Sequence, residues 1–462
     1  MTIKTDSYGY LPQEKPETGK LILYALQQVI VMFPATIAVA LITGFQVSTT
    51  IFASGLATLC FIFITGKKIP LYYGSSFAYL SAVSSMAMAE GTAEQIASWS
   101  ATGVLPAELI SKAQFGIIMS GFVSIAAGLL VRKFGKETIE KILPPTITGP
   151  ISMIIGLTLA GNAISDAINP AAENPTAWLI VSLVTFISTV LYSKYLKGFL
   201  GQLPLLLGAL TGCACAAVFY FTGTNLFRTI PDVALESSLW RLGPIAIPAF
   251  TLPKFSMTAL LGIMPIAIAT IPESTAHMYQ LDVYVNDVAK KKGQKLGYNL
   301  IDLLDHNLIG DGLCDMISGF VGGPAGTNYG ENISTMAITK VFSVPVLAAA
   351  AIIAMIISCF TPLISAIYSI PTAVIGGLEV YLFGAIAAQG IAIMIDKNVD
   401  MFSSKNIAVI ALIMMIGVGG QYAFPGGNIP LFGFNIPCVA GASISGIILN
   451  ALLSIDKSRT VS

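Results

Sequence analysis

Apolar windows of about 17 to 25 residues recur along this chain from Leu21 to Leu453, and they restrict its fold more than any other feature. That length carries a helix across a hydrocarbon core of roughly 30 Å. Backbone N–H and C=O groups find no water there, so a spanning segment must be a helix or part of a closed barrel. The chain is 55% hydrophobic and only 10% charged, against about 25% charged in soluble proteins. No stretch is left over for a soluble domain, and the reading is an all-α integral membrane protein.

The windows lie near 21–43, 48–65, 72–90, 115–131, 145–163, 176–193 and 203–222, then near 257–280, 308–321, 326–342, 344–361, 372–392, 406–419 and 432–453. This is a pattern of 14 transmembrane segments. It divides the chain into an N-terminal segment 1–20, one transmembrane domain 21–453 with repeats at about 21–222 and 257–453, and a tail 454–462. Positive residues collect in cytoplasmic loops. With the N-terminus inside, only Lys112, Arg228, Arg241 and Lys254 of the 24 Lys and Arg residues fall outside. Both termini are therefore expected in the cytoplasm of a multi-pass plasma or inner membrane protein.

The polar segment 1–20 lacks the apolar core of a cleaved signal peptide and reads as a cytoplasmic lead-in. The zero formal net charge gives no sign of a nucleic-acid partner, and the Lys290 to Lys295 cluster follows from topology. Cys60, Cys213, Cys215, Cys314, Cys359 and Cys438 are dispersed. They read as small core residues, with no metal site or disulfide framework.

Two glutamates stand where lipid-facing residues belong: Glu273, after Pro272, and Glu331, after Gly330. A carboxylate in hydrocarbon costs several kcal/mol unless it faces a wet cavity or a partner. Irregular backbone at that depth is tolerated where it lines an enclosed cavity. The pairing predicts a polar site near the midplane.

The third window opens with Ile69-Pro70-Leu71-Tyr72-Tyr73-Gly74-Ser75-Ser76-Phe77 and the tenth with Pro324-Ala325-Gly326-Thr327-Asn328-Tyr329-Gly330-Glu331-Asn332. Each carries a Tyr-Gly pair in a stretch too rich in Gly, Ser, Thr, Asn and Tyr to start a helix well. A short extended strand followed by a half-helix is expected at both. The windows are seven apart, an odd offset, so the second set would lie upside down relative to the first, as in inverted-repeat transporters. Free N–H groups at the half-helix starts would favour oxygen acceptors on a ligand.

Glu273 and His277 are four residues apart, on one helix face, a pairing suited to taking up and releasing a proton. Asp311 and Asp315 read as interfacial at a span edge, Glu379 as a structural or gating residue, and His306 as a solvated loop residue. No HExxH pair or Gly-x-Ser-x-Gly elbow is present, which disfavours an intramembrane enzyme. An anion carrier or channel would call for basic residues at the breaks instead of acids.

Gly-Ser-Ser-Phe-Ala at 74–78, Glu273 with His277, and Tyr-Gly-Glu-Asn-Ile-Ser-Thr-Met-Ala-Ile-Thr-Lys at 329–340 resemble the nucleobase-ascorbate transporters, in particular the bacterial uracil permease branch, over roughly 20–453. The resemblance implies a 7+7 inverted repeat split into core and gate domains, often a homodimer. It implies proton symport of a nucleobase with no cofactor beyond the proton. It implies substrate binding by Glu273, Glu331, Phe77, Gly330, Ala35 and Tyr329, and proton coupling by Glu273 and His277. Uracil, with two N–H donors and two carbonyl acceptors, suits carboxylates and free backbone N–H groups, and Phe77 can cover a ring face. Glu331 resembles the uracil branch, while Gln at that position is typical of xanthine and other purine carriers. Ser334, Gln28 and Pro272 depart from the family pattern.

Overall fold

The computed structural model describes residues 9–137, 142–230, 241–431 and 433–455. The tail beyond 455, residues 1–8, and the cations Lys4, Lys141, Lys457 and Arg459 lie outside the described residues. The first half runs through α1 (Thr18–Thr43), α2 (Val47–Ile64), β1 (Tyr73–Ser75), α3 (Leu80–Glu90), α4 (Ala93–Thr102), α5 (Ala107–Phe134), α6 (Pro145–Thr158), α7 (Ala160–Ala167), α8 (Pro175–Tyr195) and α9 (Pro204–Phe221). A small hairpin, β2 (Arg241–Leu242) with β3 (Ile245–Ala246), follows. The second half has α10 (Met257–Ile263), α11 (Ala267–Lys291), α12 (Leu304–Val321), β4 (Gly326–Asn328), α13 (Gly330–Thr339), α14 (Val344–Ser358), α15 (Thr361–Tyr368), α16 (Thr372–Asp396), α17 (Ser404–Ala423), β5 (Asn428–Leu431), β6 (Phe434–Pro437) and α18 (Cys438–Ser454).

Among the described residues, 9 helices are long and apolar enough to cross a membrane, and α14 and α18 are shorter apolar helices. The windows near 72–90, 308–321 and 326–342 hold α3, α12 and α13, which are too short or too polar to qualify alone. Several expected edges move. Window 145–163 divides at Leu159 into α6 and α7. The last helix starts at Cys438 because Asn428–Leu431 pairs with Phe434–Pro437 as a hairpin. Helix α4 falls in no window: it is a polar helix started by a Thr92–Gln95 capping box.

Pro272 does not break its helix, contrary to expectation. Helix α11 continues through it, and the interruption falls at the 3-10 turn Met264–Ile266, which contains Pro265.

Two helix crossings set the packing. Helix α5 lies along α12 and α16 along α6. A Cβ on Gly312 would stand 2.3 Å from Gly121 O, and one on Gly390 would stand 2.4 Å from Gly149 O. Only glycine allows backbones so near, and close dispersion contact replaces the hydrophobic drive that lipid cannot supply. Around the first crossing pack α1, α2 and α14, and around the second pack α7, α8 and α17.

The two short strands named β1 and β4 pair antiparallel at the centre, with Tyr73 opposite Asn328, Gly74 opposite Thr327 and Ser75 opposite Gly326. All six residues are buried. The expected extended stretches thus exist, and each satisfies the other's backbone.

The lead-in is more than a polar arm. Tyr10 N donates to Lys340 O at 2.8 Å and Phe342 N to Tyr10 O at 2.9 Å. Glu14 pairs with Lys292 Nζ at 2.6 Å, and that lysine side chain is 4% exposed. Residues 10–14 therefore strap the end of α11 to the α13–α14 junction.

Candidate functional site

A cavity of about 950 Å³ opens beside the strand pair, and its lining includes Ala35, Phe77, Glu273, His277, Tyr329, Gly330 and Glu331. Every residue expected at the site therefore meets one space, although four different elements supply them. Ala35 comes from α1, Phe77 from the 3-10 turn after β1, Glu273 and His277 from α11, and Tyr329 to Glu331 from the start of α13. Gln389, Ile393, Asp396 and Lys397, at the far end of α16, also line the cavity.

Glu331 occupies the first turn of α13, whose start carries no side-chain cap. The N–H groups of that turn point along the helix axis with the positive end of its dipole. Glu331 is exposed to the cavity, while Glu273 and His277 are half-buried in its wall. Gly330 touches the imidazole: a Cβ there would stand 2.9 Å from His277 Nε2. His277 Nδ1 is buried with no hydrogen-bond partner. The break and the helix carrying Glu273 thus meet through a glycine and a histidine.

Tyr329 is held from two sides. Its hydroxyl donates to Ser75 O at 3.0 Å and lies 3.0 Å from Thr36 Oγ1. Its ring packs on Gly74, where a Cβ would sit 2.3 Å from Cζ. Tyr329 therefore ties β1 and α1 to the mouth of α13 as well as lining the cavity. Asn332 donates to Gln28 Oε1 at 2.7 Å and Gln28 O at 3.0 Å, so Gln28 fastens α1 to α13 from behind. Ser334 is half-buried, and nothing in the structure explains its departure from the family pattern.

Asp311 and Asp315 are not interfacial. They are 6% and 1% exposed and lie one turn apart on α12, under the strand pair. Asp315 accepts from Gly326 N at 2.9 Å and from the Tyr73 hydroxyl, so one carboxyl holds both strands. Asp311 accepts from Ser274 and from Asn328 Nδ2 at 3.2 Å. Asn307 donates to Ser274 Oγ at 2.7 Å, and Ser274 directly follows Glu273. Sequence reasoning missed this support, yet a signal exists: Asn307, Asp311 and Asp315 repeat every four residues, a polar stripe on one helix face. His306 also differs from expectation. It lies in the first turn of α12, with Nδ1 2.8 Å from Asp305 Oδ1 and its side chain 44% exposed.

No group of three or more His, Cys, Asp or Glu side chains able to hold a metal occurs among the described residues. Among the described residues, the only formally cationic side chain lining the cavity is Lys397, at its far end.

Comparison with known proteins gives a consistent outcome. The Permease family model Xan_ur_permease matches residues 19–426. The uracil permease of Bacillus caldolyticus is 32% identical over 449 residues, covering 96% of this chain and 94% of that protein. The putative pyrimidine permease RutG of Escherichia coli (strain K12) is 32% identical over 454 residues, 97% of this chain and 93% of its own length. The uracil permease of the same strain is 33% identical over 451 residues, 97% and 95% respectively. Among solved structures, the transmembrane domain of the cyanobacterial bicarbonate transporter BicA superposes with a TM-score of 0.57 at 14% identity, covering 94% of this chain and 97% of that one. Murine Slc26a9, an anion transporter in the inward-facing state, gives a TM-score of 0.63 at 14% identity, covering 98% and 72%. At that identity the structures share the fold alone.

Proposed function

The chain belongs to the Permease family Xan_ur_permease, and from that membership we propose that it carries uracil or a close pyrimidine base into the cell together with a proton. The observation that carries this reading is the convergence of Glu273 and Glu331 on one cavity at the uncapped start of a half-helix. A planar base with ring N–H groups gives each carboxylate something to accept, and the free N–H groups of the first turn of α13 donate to its carbonyl oxygens. Phe77 covers one face of the ring, and Ala35 leaves room beside it. Glu331, which only accepts when ionised, favours a pyrimidine edge over the purine edge that an amide would match.

Proton coupling is assigned to Glu273 with His277, one helical turn apart and against Gly330. A proton taken up there changes the charge beside the bound base, so binding and protonation bias one another. Two inverted sets of seven spans fit the arrangement, with β1 and β4 antiparallel and one glycine crossing in each packing group. The group around α5 and α12 would be the core and the group around α6 and α16 the gate. Membrane insertion with both termini in the cytoplasm and pairing as a homodimer belong to the same reading. With that orientation the cavity end at Asp396 and Lys397 faces the cytoplasm. An anion carrier on this fold is disfavoured by the two acids at the breaks.

Uptake of labelled uracil into proteoliposomes, with and without an inward proton gradient, tests the proposal. Accumulation is expected only with the gradient. Equal uptake after its collapse removes proton symport, and no uptake in either condition removes uracil as the substrate.

A further inference from the structure

The cavity is open at one face and shut at the other. Asp396 and Lys397, both exposed, mark the open end. Helix α17 starts at Ser404, shortly after them, and its 20 residues carry the chain about 30 Å at 1.5 Å per residue. It delivers the turn Pro425–Gly427 and the β5–β6 hairpin to the opposite face. Among the described residues, none from α3, α10, α17, the hairpin or α18 lines the cavity. What shuts that face is the contact of the hairpin with α3 and α10.

The two sides of this seam come from different packing groups. A Cβ on Gly116 of α5 would stand 2.5 Å from Ala259 O, which seats α10 on α5, and α3 packs on α10. A Cβ on Gly417 would stand 2.6 Å from Ile154 Cδ1 and one on Gly420 2.7 Å from Cys438 Cβ. Those contacts seat α17 on α6 and α18 on α17. Beneath the seam the packing is apolar: Val83, Met86 and Ile263 share one buried cluster with Ile154, Ile413 and Val439.

Two hydrogen bonds cross the seam. Ser85 Oγ on α3 donates to Gly426 O at 2.7 Å, and Asn428 Nδ2 donates to Ser85 O at 2.9 Å. The same amide nitrogen reaches Gly426 O at 3.3 Å. Ser85 is 5% and Asn428 7% exposed. Both neighbours of that nitrogen are carbonyl acceptors, which fixes the orientation of the amide. Asn428 Oδ1 is left buried without a partner. Gly426 and Gly427 both take left-handed backbone, φ +62° and +69°, a turn that residues with a Cβ rarely make. It brings Gly426 O and the Asn428 side chain to one residue of α3. Pro437, opposite Asn428 in the hairpin, lies against α10, its Cγ 2.7 Å from where a Cβ on Gly262 would be.

We infer that Ser85 and Asn428 form a clasp that holds this face shut, and that the hairpin leaves α3 and α10 each time the site opens there. Release exposes Ser85, Gly426 O and the whole amide to water, which replaces each lost bond and supplies the one that Oδ1 lacks. The closure is therefore reversible, and the ligand need not touch it. This inference rests on the carrier reading above.

The test joins the two sides covalently. A Cβ on Gly262 would stand 4.0 Å from Pro437 Cβ, within the range of about 3.5–4.5 Å for bonded cysteines. Gly262→Cys with Pro437→Cys is oxidised in proteoliposomes and the disulfide verified by mass spectrometry. Gradient-driven uracil uptake is expected to fall at least about a hundredfold and to return on reduction. Uracil affinity by calorimetry in detergent is expected within about twofold of the reduced form, because the site stays open at the Asp396 end. Undiminished uptake with the disulfide complete overturns the inference and leaves the carrier reading standing. Should the double variant not fold or not oxidise, Asn428→Asp decides, since it sets a carboxylate against two carbonyl oxygens. Maleimide labelling of Cys438, 1% exposed behind the hairpin, must then be at least about fivefold faster than in wild type, and an unchanged rate overturns the inference equally. Absence of uracil binding in the unmodified protein overturns the carrier reading and this inference with it.

Discussion

Two strand-to-helix breaks meet at the centre of the molecule, and they are finished differently. After β1 the chain turns through Ser76, whose Oγ accepts from Ala78 N at 3.3 Å, and a 3-10 turn at Phe77–Tyr79 leads into α3. After β4 the chain enters α13 directly at Gly330, with no side-chain cap and with Glu331 in the first turn. The first break satisfies its own donor and presents an aromatic wall. The second leaves donors and a carboxylate to whatever occupies the cavity. Similar sequence on both sides of an antiparallel pair has thus yielded one supporting half and, on the carrier reading proposed above, one reading half, with Asp315 bonded to each strand.

The strongest test of that division removes what the halves share. Asp315→Leu leaves the Tyr73 hydroxyl and Gly326 N–H without their acceptor, at about 1–3 kcal/mol for each orphaned group. Loss of folded protein, read by thermal unfolding in detergent, is expected. Glu331→Gln affects only the reading half. Its expected cost is about 1.5–3 kcal/mol, a ten- to hundredfold loss of uracil affinity measurable by calorimetry, and unchanged affinity would erase the asymmetry. Gly330→Ala pushes a Cβ against His277 Nε2, so gradient-driven uptake should fall about tenfold, or about 1.4 kcal/mol, while the unfolding temperature stays near wild type. Ser76→Ala touches only the supporting half. It should lower stability by about 1 kcal/mol and leave affinity within about twofold; a larger loss of affinity would show that the capped break also reads the ligand.

Both breaks were legible because Tyr-Gly pairs amid Gly, Ser, Thr and Asn disagree with helix formation wherever they occur. Glu273 and Glu331 stood out for a related reason: charge in an apolar run needs a partner or a cavity. Asp311 and Asp315 carry the same charge, but at a window edge hydropathy cannot separate a headgroup position from the core. Their burial follows from the strands packed over α12, a contact distant in sequence. Pro272 misled because proline weakens a helix interior by rule, whereas here Pro265 coincides with the interruption and the helix continues past Pro272. The strap at residues 10–14 left no apolar run to find. Its hold comes from backbone pairing with Lys340–Phe342 and the Lys292 ion pair.

The strand pair also bears on how the chain is made. Residues 326–328 leave the ribosome roughly 250 residues after 73–75, which at about 5–20 residues per second is a delay on the order of ten to fifty seconds. During that interval the polar backbone of β1 has no partner strand. Helix α2 supplies a substitute within the same early segment: Ser54 Oγ and Thr58 Oγ1 donate to Tyr73 O at 2.9 and 3.0 Å, and Thr58 Oγ1 accepts from Tyr73 N at 3.1 Å. Two hydroxyls on a neighbouring helix, made in the same early segment, thus offer that backbone hydrogen-bond partners that do not depend on the second half of the chain.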